Sequence, residues 1–207
     1  MSEMRAPSDW EQEILDIVKT VAGVDEAGAS LQHYVDRLHA WNQVHNLTGL
    51  AHHEQMVAQL LRPSIALAPV LKKYKTVLDL GTGAGIPGLV LAICHPWQSW
   101  ILVERSQKKG RFLQQIITDL GCHNVTVRIT DFTQMAYDKQ IEAIVTRGSA
   151  KLKQQIAMTA AWRQQGVPLF SVQTKKSLLE QAHSVSQADM QTVDGFDEPG
   201  LILLQVR

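Results

Sequence analysis

The chain has little of what would commit it to a disulfide scaffold, a metal centre or a membrane. It contains two cysteines, Cys94 and Cys122, too few and too isolated for a disulfide framework or a four-ligand metal site. Both lie in apolar or turn-like surroundings and read as small, reduced core residues. His52 and His53 lack a third partner at ligand spacing, so no metal is expected. No stretch approaches eighteen uninterrupted apolar residues, which removes a membrane-spanning helix from the expectations. Neither sign of charge is in excess, with 20 Lys and Arg against 20 Asp and Glu. The strongly basic balance common among nucleic-acid binders is therefore missing, although a neutral total can conceal a local patch. Residues 1–10 carry Glu3, Arg5 and Asp9 and no apolar h-region. A signal peptide is not expected, and a cytoplasmic location is.

What is present is an ordinary globular composition: 207 residues, 45% hydrophobic and 19% charged, enough for one domain with a sizeable core. The opening third has helical spacing. Asp9 can cap a helix bearing Ile14, Leu15, Ile17, Val18 and Val21, ended by Gly23; Ser30 can cap a second with Leu31, Tyr34, Val35, Leu38 and Trp41 on one face. A third starts near Glu54, with Pro63 kinking or restarting it. From Lys75 the period changes. Thr76–Leu80, Trp100–Glu104, Val125–Ile129, Ile141–Thr146 and Val167–Val172 are strand candidates, with helices at Leu89–Cys94, Gln107–Leu120 and Leu152–Gln164 between them. That alternation predicts an α/β fold, a mostly parallel sheet with helices on both faces. Gln191–Val193 and Leu201–Val206 fit an antiparallel hairpin closing its edge. The expected division is a helical extension over 1–70 and a core over 71–207.

The first strand runs straight into Gly81-Thr82-Gly83-Ala84-Gly85-Ile86-Pro87-Gly88. Strand, glycine turn and helix together make a ligand-binding device, because glycines permit positive φ and close approach while the helix start presents N–H groups. A dinucleotide loop wants glycine or alanine three places after Gly83, where Ile86 stands, and a P-loop wants Gly-Lys-Ser/Thr. Asp79-x-Gly81-x-Gly83-x-Gly85 is instead the acid-then-glycines pattern of class I methyltransferases, whose cofactor has no phosphate. Two further acids fit this pattern. Glu104 ends the second strand, where a carboxylate can accept both ribose hydroxyl hydrogens. Asp131 follows the third strand beside Phe132, where it can face an adenine. S-adenosyl-L-methionine is the expected cofactor.

The chain also resembles a known family. Trp41-Asn42-x-x-x-Asn46-Leu47-Thr48, the loop Asp79–Gly88 and Lys109-x-Arg111-Phe112-Leu113 are similar to the GidB/RsmG family over nearly the whole length. This resemblance implies a Rossmann-like, seven-stranded class I methyltransferase fold with a helical N-terminal extension. It also implies methylation of guanine N7 in 16S ribosomal RNA, within the small ribosomal subunit or its precursor, by a monomer. Family ligand positions carry over to Gly81, Ile86, Phe132, Thr133 and Arg147. With Asp79, Gly83, Gly85, Glu104 and Asp131 these make the expected cofactor set, and Arg147 and Lys175 are the candidates for orienting substrate. The chain departs from the family at Leu60-Leu61-Arg62-Pro63-Ser64, where His-Ile-Leu-Asp-Ser is usual. Asp131 replaces an arginine, Gln173-Thr174-Lys175 replaces Leu-Lys-Gly, and Arg147-Gly148-Ser149-Ala150 replaces Arg-Ala-Phe/Val-Ala.

The residues suit that chemistry. Methyl transfer is an in-line displacement in which the protein chiefly holds donor and acceptor together, and guanine N7 already presents a lone pair, so no general base is required. Lysine clusters at 72–75, 108–111, 151–153 and 175–176 could meet phosphates, and Trp41 and Trp97 could stack on bases, although a tryptophan on a helix face is more often core. Two alternatives stay open at this point: a relative that binds cofactor or RNA without turnover, and a methyltransferase for a small metabolite.

Overall fold

The change of period at Lys75 marks the start of the sheet. In the computed structural model, which describes residues 7–20, 27–181, 190–196 and 198–206, five strands run parallel: β1 Thr76–Leu80, β2 Ser99–Glu104, β3 Val125–Ile129, β4 Ala143–Arg147 and β5 Leu169–Thr174. Two more, β6 Met190–Thr192 and β7 Leu201–Val206, pair antiparallel, and β7 inserts beside β5. The order is β3-β2-β1-β4-β5-β7-β6. Strand order reverses between β1 and β4, and ligands of open α/β sheets bind beyond the carboxyl ends of strands at such a switch point.

The central strands β1, β2, β4 and β5 bury both faces, and side chains alternate between them. Leu78, Leu80, Ile101, Val103 and Ile144 form one core with Trp162 and Leu152. Those last two come from α8 Leu152–Met158 and α9 Ala160–Arg163. Val77, Trp100, Leu102 and Val145 form the other core, with α6 Gly88–Cys94 and α7 Gln107–Leu120. The N-terminal helices α1 Asp9–Lys19 and α2 Gly28–His45 join this second core through Ile14, Leu31, Tyr34 and Leu38. No helix among the described residues is long and apolar enough to cross a membrane.

Local chemistry shifts several helix boundaries from those expected. Ser8 rather than Asp9 caps α1, its N–H and hydroxyl both donating to the Glu11 carboxylate at 2.6 and 2.7 Å. Val21 and Gly23 lie outside the described residues. Ser30 lies inside α2, which starts at Gly28, where α1 and α2 touch: a Cβ on Gly28 would stand 2.7 Å from Leu15 Cδ2. The third helical stretch is α3 His53–Met56, a π-helical turn Val57–Leu61, α4 Arg62–Ile65 and α5 Ala68–Leu71. Its wide turn comes just before Pro63, whose missing N–H interrupts the regular ladder. The stretch expected as one helix over Leu152–Gln164 breaks at Thr159, whose hydroxyl bonds back to the Gln155 carbonyl at 2.8 Å.

The Asn42–Thr48 segment is a clamp. Asn42 Oδ1 accepts the Thr48 N–H at 2.7 Å while its Nδ2 donates to the Leu50 carbonyl at 2.6 Å. Asn46 ends α2 in the left-handed conformation at φ +48°, which asparagine tolerates. Leu47 is then buried and Trp41 packs edge-on to Phe112, so Trp41 belongs to the core side of its two readings. Asn42→Ala leaves two backbone groups without their partner and should cost about 1–3 kcal/mol. Urea unfolding that differs from wild type by less than about 0.5 kcal/mol, the scale of an ordinary surface substitution, would show the clamp to be idle.

Candidate functional site

Strand alternation points Asp79 of β1 to the same face as Val77, the one covered by α6, α7 and the N-terminal helices. It is fully buried, and its Oδ2 accepts the Gly88 N–H at 2.8 Å. Only glycine fits at position 88: a Cβ would stand 2.7 Å from that oxygen and 2.5 Å from Leu102 Cδ2. Asp79 Oδ1 and the nearby Thr82 hydroxyl are buried with no partner of full hydrogen-bond geometry, although the hydroxyl is close enough to favour the charged carboxylate. Burial pushes the Asp79 carboxyl from its ordinary 3.8 up to about 7, the Thr82 hydroxyl and the Gly88 N–H pulling the other way and Glu104 adding to the rise.

Glu104, the last residue of β2, is 8% exposed. Its Oε2 accepts the Gly83 N–H at 3.0 Å and its Oε1 the Ser106 N–H at 2.7 Å. Gly83 has φ +61°, and a Cβ built there meets only Lys109 Nζ, at 3.9 Å. The other loop glycines are closed in by protein, Gly81 by Ser149 and Gly85 by Leu89. Gly83 thus offers bare backbone beside two carboxylate-bearing strand tips. The arrangement can cradle a polar group that needs hydrogen-bond acceptors and close backbone approach.

The remaining residues singled out in the sequence divide. Asp131, exposed at the end of β3, caps the short 3₁₀ turn Phe132–Gln134, accepting the Thr133 N–H at 2.9 Å and hydroxyl at 2.6 Å; these bonds hold its carboxyl below the usual carboxylate range. Phe132 is buried against Trp162, with ring centroids 5.3 Å apart. Ile86 sits in the core, its N–H bonded to the Thr82 carbonyl at 2.8 Å. Arg147 leaves the end of β4 toward the π-helical turn and donates from Nη2 to the Gln59 carbonyl; Nη1 is buried without a partner. Burial lowers its pKa, and Glu198 opposes the shift. Lys175 opens α10 Lys175–Gln181 and is exposed. The structure therefore gathers Asp79, Gly81, Gly83, Gly85 and Glu104, sets Asp131–Thr133 at the neighbouring strand tip, and leaves Arg147 and Lys175 apart from that cluster's hydrogen bonds.

Sequence reasoning did not place Tyr34, Thr82 or Ser149 at the site, and named Lys109 only in a lysine cluster and a family motif. Tyr34 carried a signal, being a hydroxyl in an apolar helix face, whereas Ser149 reaches Gly81 only through the bend after β4. Among the described residues no group of three or more His, Cys, Asp or Glu is placed to hold a metal. A cleft of about 570 Å³ opens elsewhere, between α1 and α4. Asp9, Glu13, Asp16 and Glu198 line it, and no residue of the glycine loop does.

The fold is shared with known methyltransferases. A SAM-dependent methyltransferase from Aquifex aeolicus matches with a TM-score of 0.53 at 16% identity, covering 74% of this chain and 93% of that one. A ribosomal protein L11 methylase from Lactobacillus delbrueckii subsp. bulgaricus matches at 0.54 and 13%, covering 72% and 78%. These define the class I methyltransferase architecture. The family profile described as GidB, rRNA small subunit methyltransferase G, matches residues 27–197, and the chain belongs to that family. Two relatives carry the name ribosomal RNA small subunit methyltransferase G. The one from Dichelobacter nodosus is 37% identical over 131 residues, 63% of this chain and 62% of that protein. The one from Marinomonas sp. is 36% identical over 135 residues, 65% and 64%. The chain thus spans less than two thirds of the length of these two relatives.

The raised Asp79 carboxyl has a measurable consequence. A group whose proton is held more tightly in the folded state stabilises the fold below its unfolded pKa, and that stability is lost as pH rises through the folded value. For Asp79 the window runs from about 4 to about 7. Asp79→Asn keeps an acceptor for Gly88 and has no proton to lose, so its stability relative to wild type should grow across this window in denaturant titrations. A difference that stays constant with pH would show that Asp79 is charged throughout.

Proposed function

We propose that the chain is an S-adenosyl-L-methionine-dependent methyltransferase acting on N7 of a guanine in 16S ribosomal RNA. In this reading it is a cytoplasmic monomer working on the small ribosomal subunit or its precursor, with residues 1–70 as an extension on a cofactor-binding core of 71–207. The observation that carries the proposal is the bare Gly83 backbone set between the Asp79 and Glu104 strand tips. The residues present fit the cofactor. Asp79 Oδ1 and Thr82 Oγ1, buried beside each other without a well-formed hydrogen bond, suit its polar amino-acid part, and Glu104 can accept from ribose hydroxyls. Asp79, Gly81, Gly83, Gly85, Ile86, Glu104, Asp131, Phe132, Thr133 and Arg147 would hold it. When bound, the cofactor supplies a methyl group on a positively charged sulfur.

The protein's own part is then positioning. Guanine N7 needs no deprotonation, and the site offers no activated nucleophile. Cys94 is buried in α6 with its thiol pushed up to about 12, and burial also raises the Cys122 thiol, so neither is a ready thiolate. Arg147 and Lys175 are the groups assigned to orienting the base.

The distribution of cations supports an RNA substrate. Arg105, Lys108, Lys109 and Arg111 follow β2, Lys151 and Lys153 follow β4, and Lys175 and Lys176 follow β5. Because these strands are parallel, all three groups stand at the carboxyl rim that holds the glycine loop. Of the four lysine clusters only Lys72, Lys73 and Lys75 precede β1 at the opposite rim. A neutral total charge thus conceals a rim suited to phosphates. The names of the relatives point to the same substrate.

Mass-spectrometric mapping of 16S ribosomal RNA from cells with and without the gene tests this reading. Loss of one N7-methylguanosine on deletion, restored by the wild-type gene, is the expected result. An unchanged modification map would contradict it. Cofactor binding in calorimetry alongside such an unchanged map would select a relative that binds without turnover.

A further inference from the structure

Among the described residues, three side chains hydrogen-bond to the backbone of the loop 81–88. Asp79 and Glu104 each accept an N–H. The third is Tyr34 of α2, whose hydroxyl donates to the Ala84 carbonyl at 2.9 Å across 50 residues of chain. We propose that Tyr34 is a positioning residue for the cofactor: its hydroxyl fixes the Ala84–Gly85 peptide from behind, and so keeps the bare face of Gly83 turned toward the ligand. This rests on the methyltransferase reading of the glycine loop.

The geometry supports the role in three ways. The Ala84–Gly85 peptide is held at both ends, its carbonyl by Tyr34 and its N–H by the Thr82 carbonyl at 2.9 Å. Gly85 at its far end has φ +102°, and Gly83, one residue before Ala84, has φ +61°, so glycine freedom on both sides leaves the orientation of this stretch to its hydrogen bonds. The Gly83 N–H that Glu104 accepts lies two peptides earlier, across the Gly83 pivot, so a turn at Ala84–Gly85 is passed through Gly83 to the acceptor expected to meet the ribose. Packing alone does not require a hydroxyl here. Tyr34 is fully buried among Leu31, Val35 and Leu38, with its ring 6.4 Å from that of Phe112, and phenylalanine would fill the same space. Burying a hydroxyl is unfavourable unless it is bonded. Desolvation, and secondarily the Asp79 charge, raise the phenol far above its ordinary value, so it stays a donor throughout the working range of pH.

The test uses the full chain and Tyr34→Phe, with S-adenosylmethionine affinity read by calorimetry and KM and kcat read on small subunits. Loss of one buried hydrogen bond that acts through the loop should weaken cofactor affinity and raise cofactor KM about five- to tenfold, with kcat at saturating cofactor within about twofold. Phe112→Leu removes packing from the same ring and keeps the hydroxyl. It should lower thermal stability while leaving cofactor affinity within about twofold. Wild-type affinity in Tyr34→Phe, or equal weakening in Phe112→Leu, overturns the proposal. If the wild type itself fails to bind S-adenosylmethionine, the methyltransferase reading falls first and this inference with it. An independent arm needs no substitution at position 34. The chain has three tyrosines, Tyr34, Tyr74 and Tyr137, so fluorine NMR of 3-fluorotyrosine-labelled protein gives three resonances, the Tyr34 signal assigned by elimination with Tyr74→Phe and Tyr137→Phe. It should shift when S-adenosylhomocysteine is added. A Tyr34 signal that stays put while the ligand binds rejects the coupling.

Discussion

The contact between Asp79 and the Gly88 N–H is the constraint on which the rest depends. It takes a carboxyl fully out of water, which costs free energy unless the group is neutral or well bonded, and it joins the first strand to the start of the first helix after it. The loop between them is thereby drawn tight, and the glycines follow from that tightness. Position 88 must admit a carboxylate oxygen, position 81 must admit Ser149, and position 85 must admit Leu89. Gly83 differs from these. Its missing side chain makes room for nothing in the protein except the tip of Lys109, which sets it apart from the other glycines of the loop.

Support for the loop comes from every layer. β2 contributes Glu104, the bend after β4 contributes Ser149, and α2 contributes Tyr34. The N-terminal helices share the same hydrophobic core as α6, α7 and one face of the sheet. In consequence the motif around Asn42, which lies far from the glycines in sequence, serves the loop indirectly by ending α2 and seating Leu47 and Trp41. The Asn42 side chain is spent on backbone groups, and Asn46 takes the left-handed conformation that ends the helix.

Much of this was legible in the chain. Strands such as Val125–Ile129 and Leu201–Val206, and the helix Gln107–Leu120, fall on the observed bounds because period and turn residues agree there. The α/β class and the edge hairpin follow from the same signals. The acids at 79 and 104 could be placed because strand ends in a parallel sheet converge. What escaped was set by tertiary contact. Ser30 has the chemistry of a cap, but α2 begins two residues earlier, at Gly28, packed against α1. The internal partners of two candidate residues also escape: Asp131 accepts from Thr133, and the Arg147 guanidinium donates to the π-helical turn at Gln59. Nothing in the spacing of residues 57–61 reveals that the Gln59 carbonyl meets a residue 88 positions away.

Whether the Gly83 face, framed by Asp79 and Glu104, holds the cofactor is decided by a crystal structure of the chain with S-adenosylhomocysteine. The ligand's ribose is expected on Glu104 and its amino-acid portion over the loop from Gly81 to Gly85. Ligand density in the cleft between α1 and α4, with the glycine loop left bare, would contradict it.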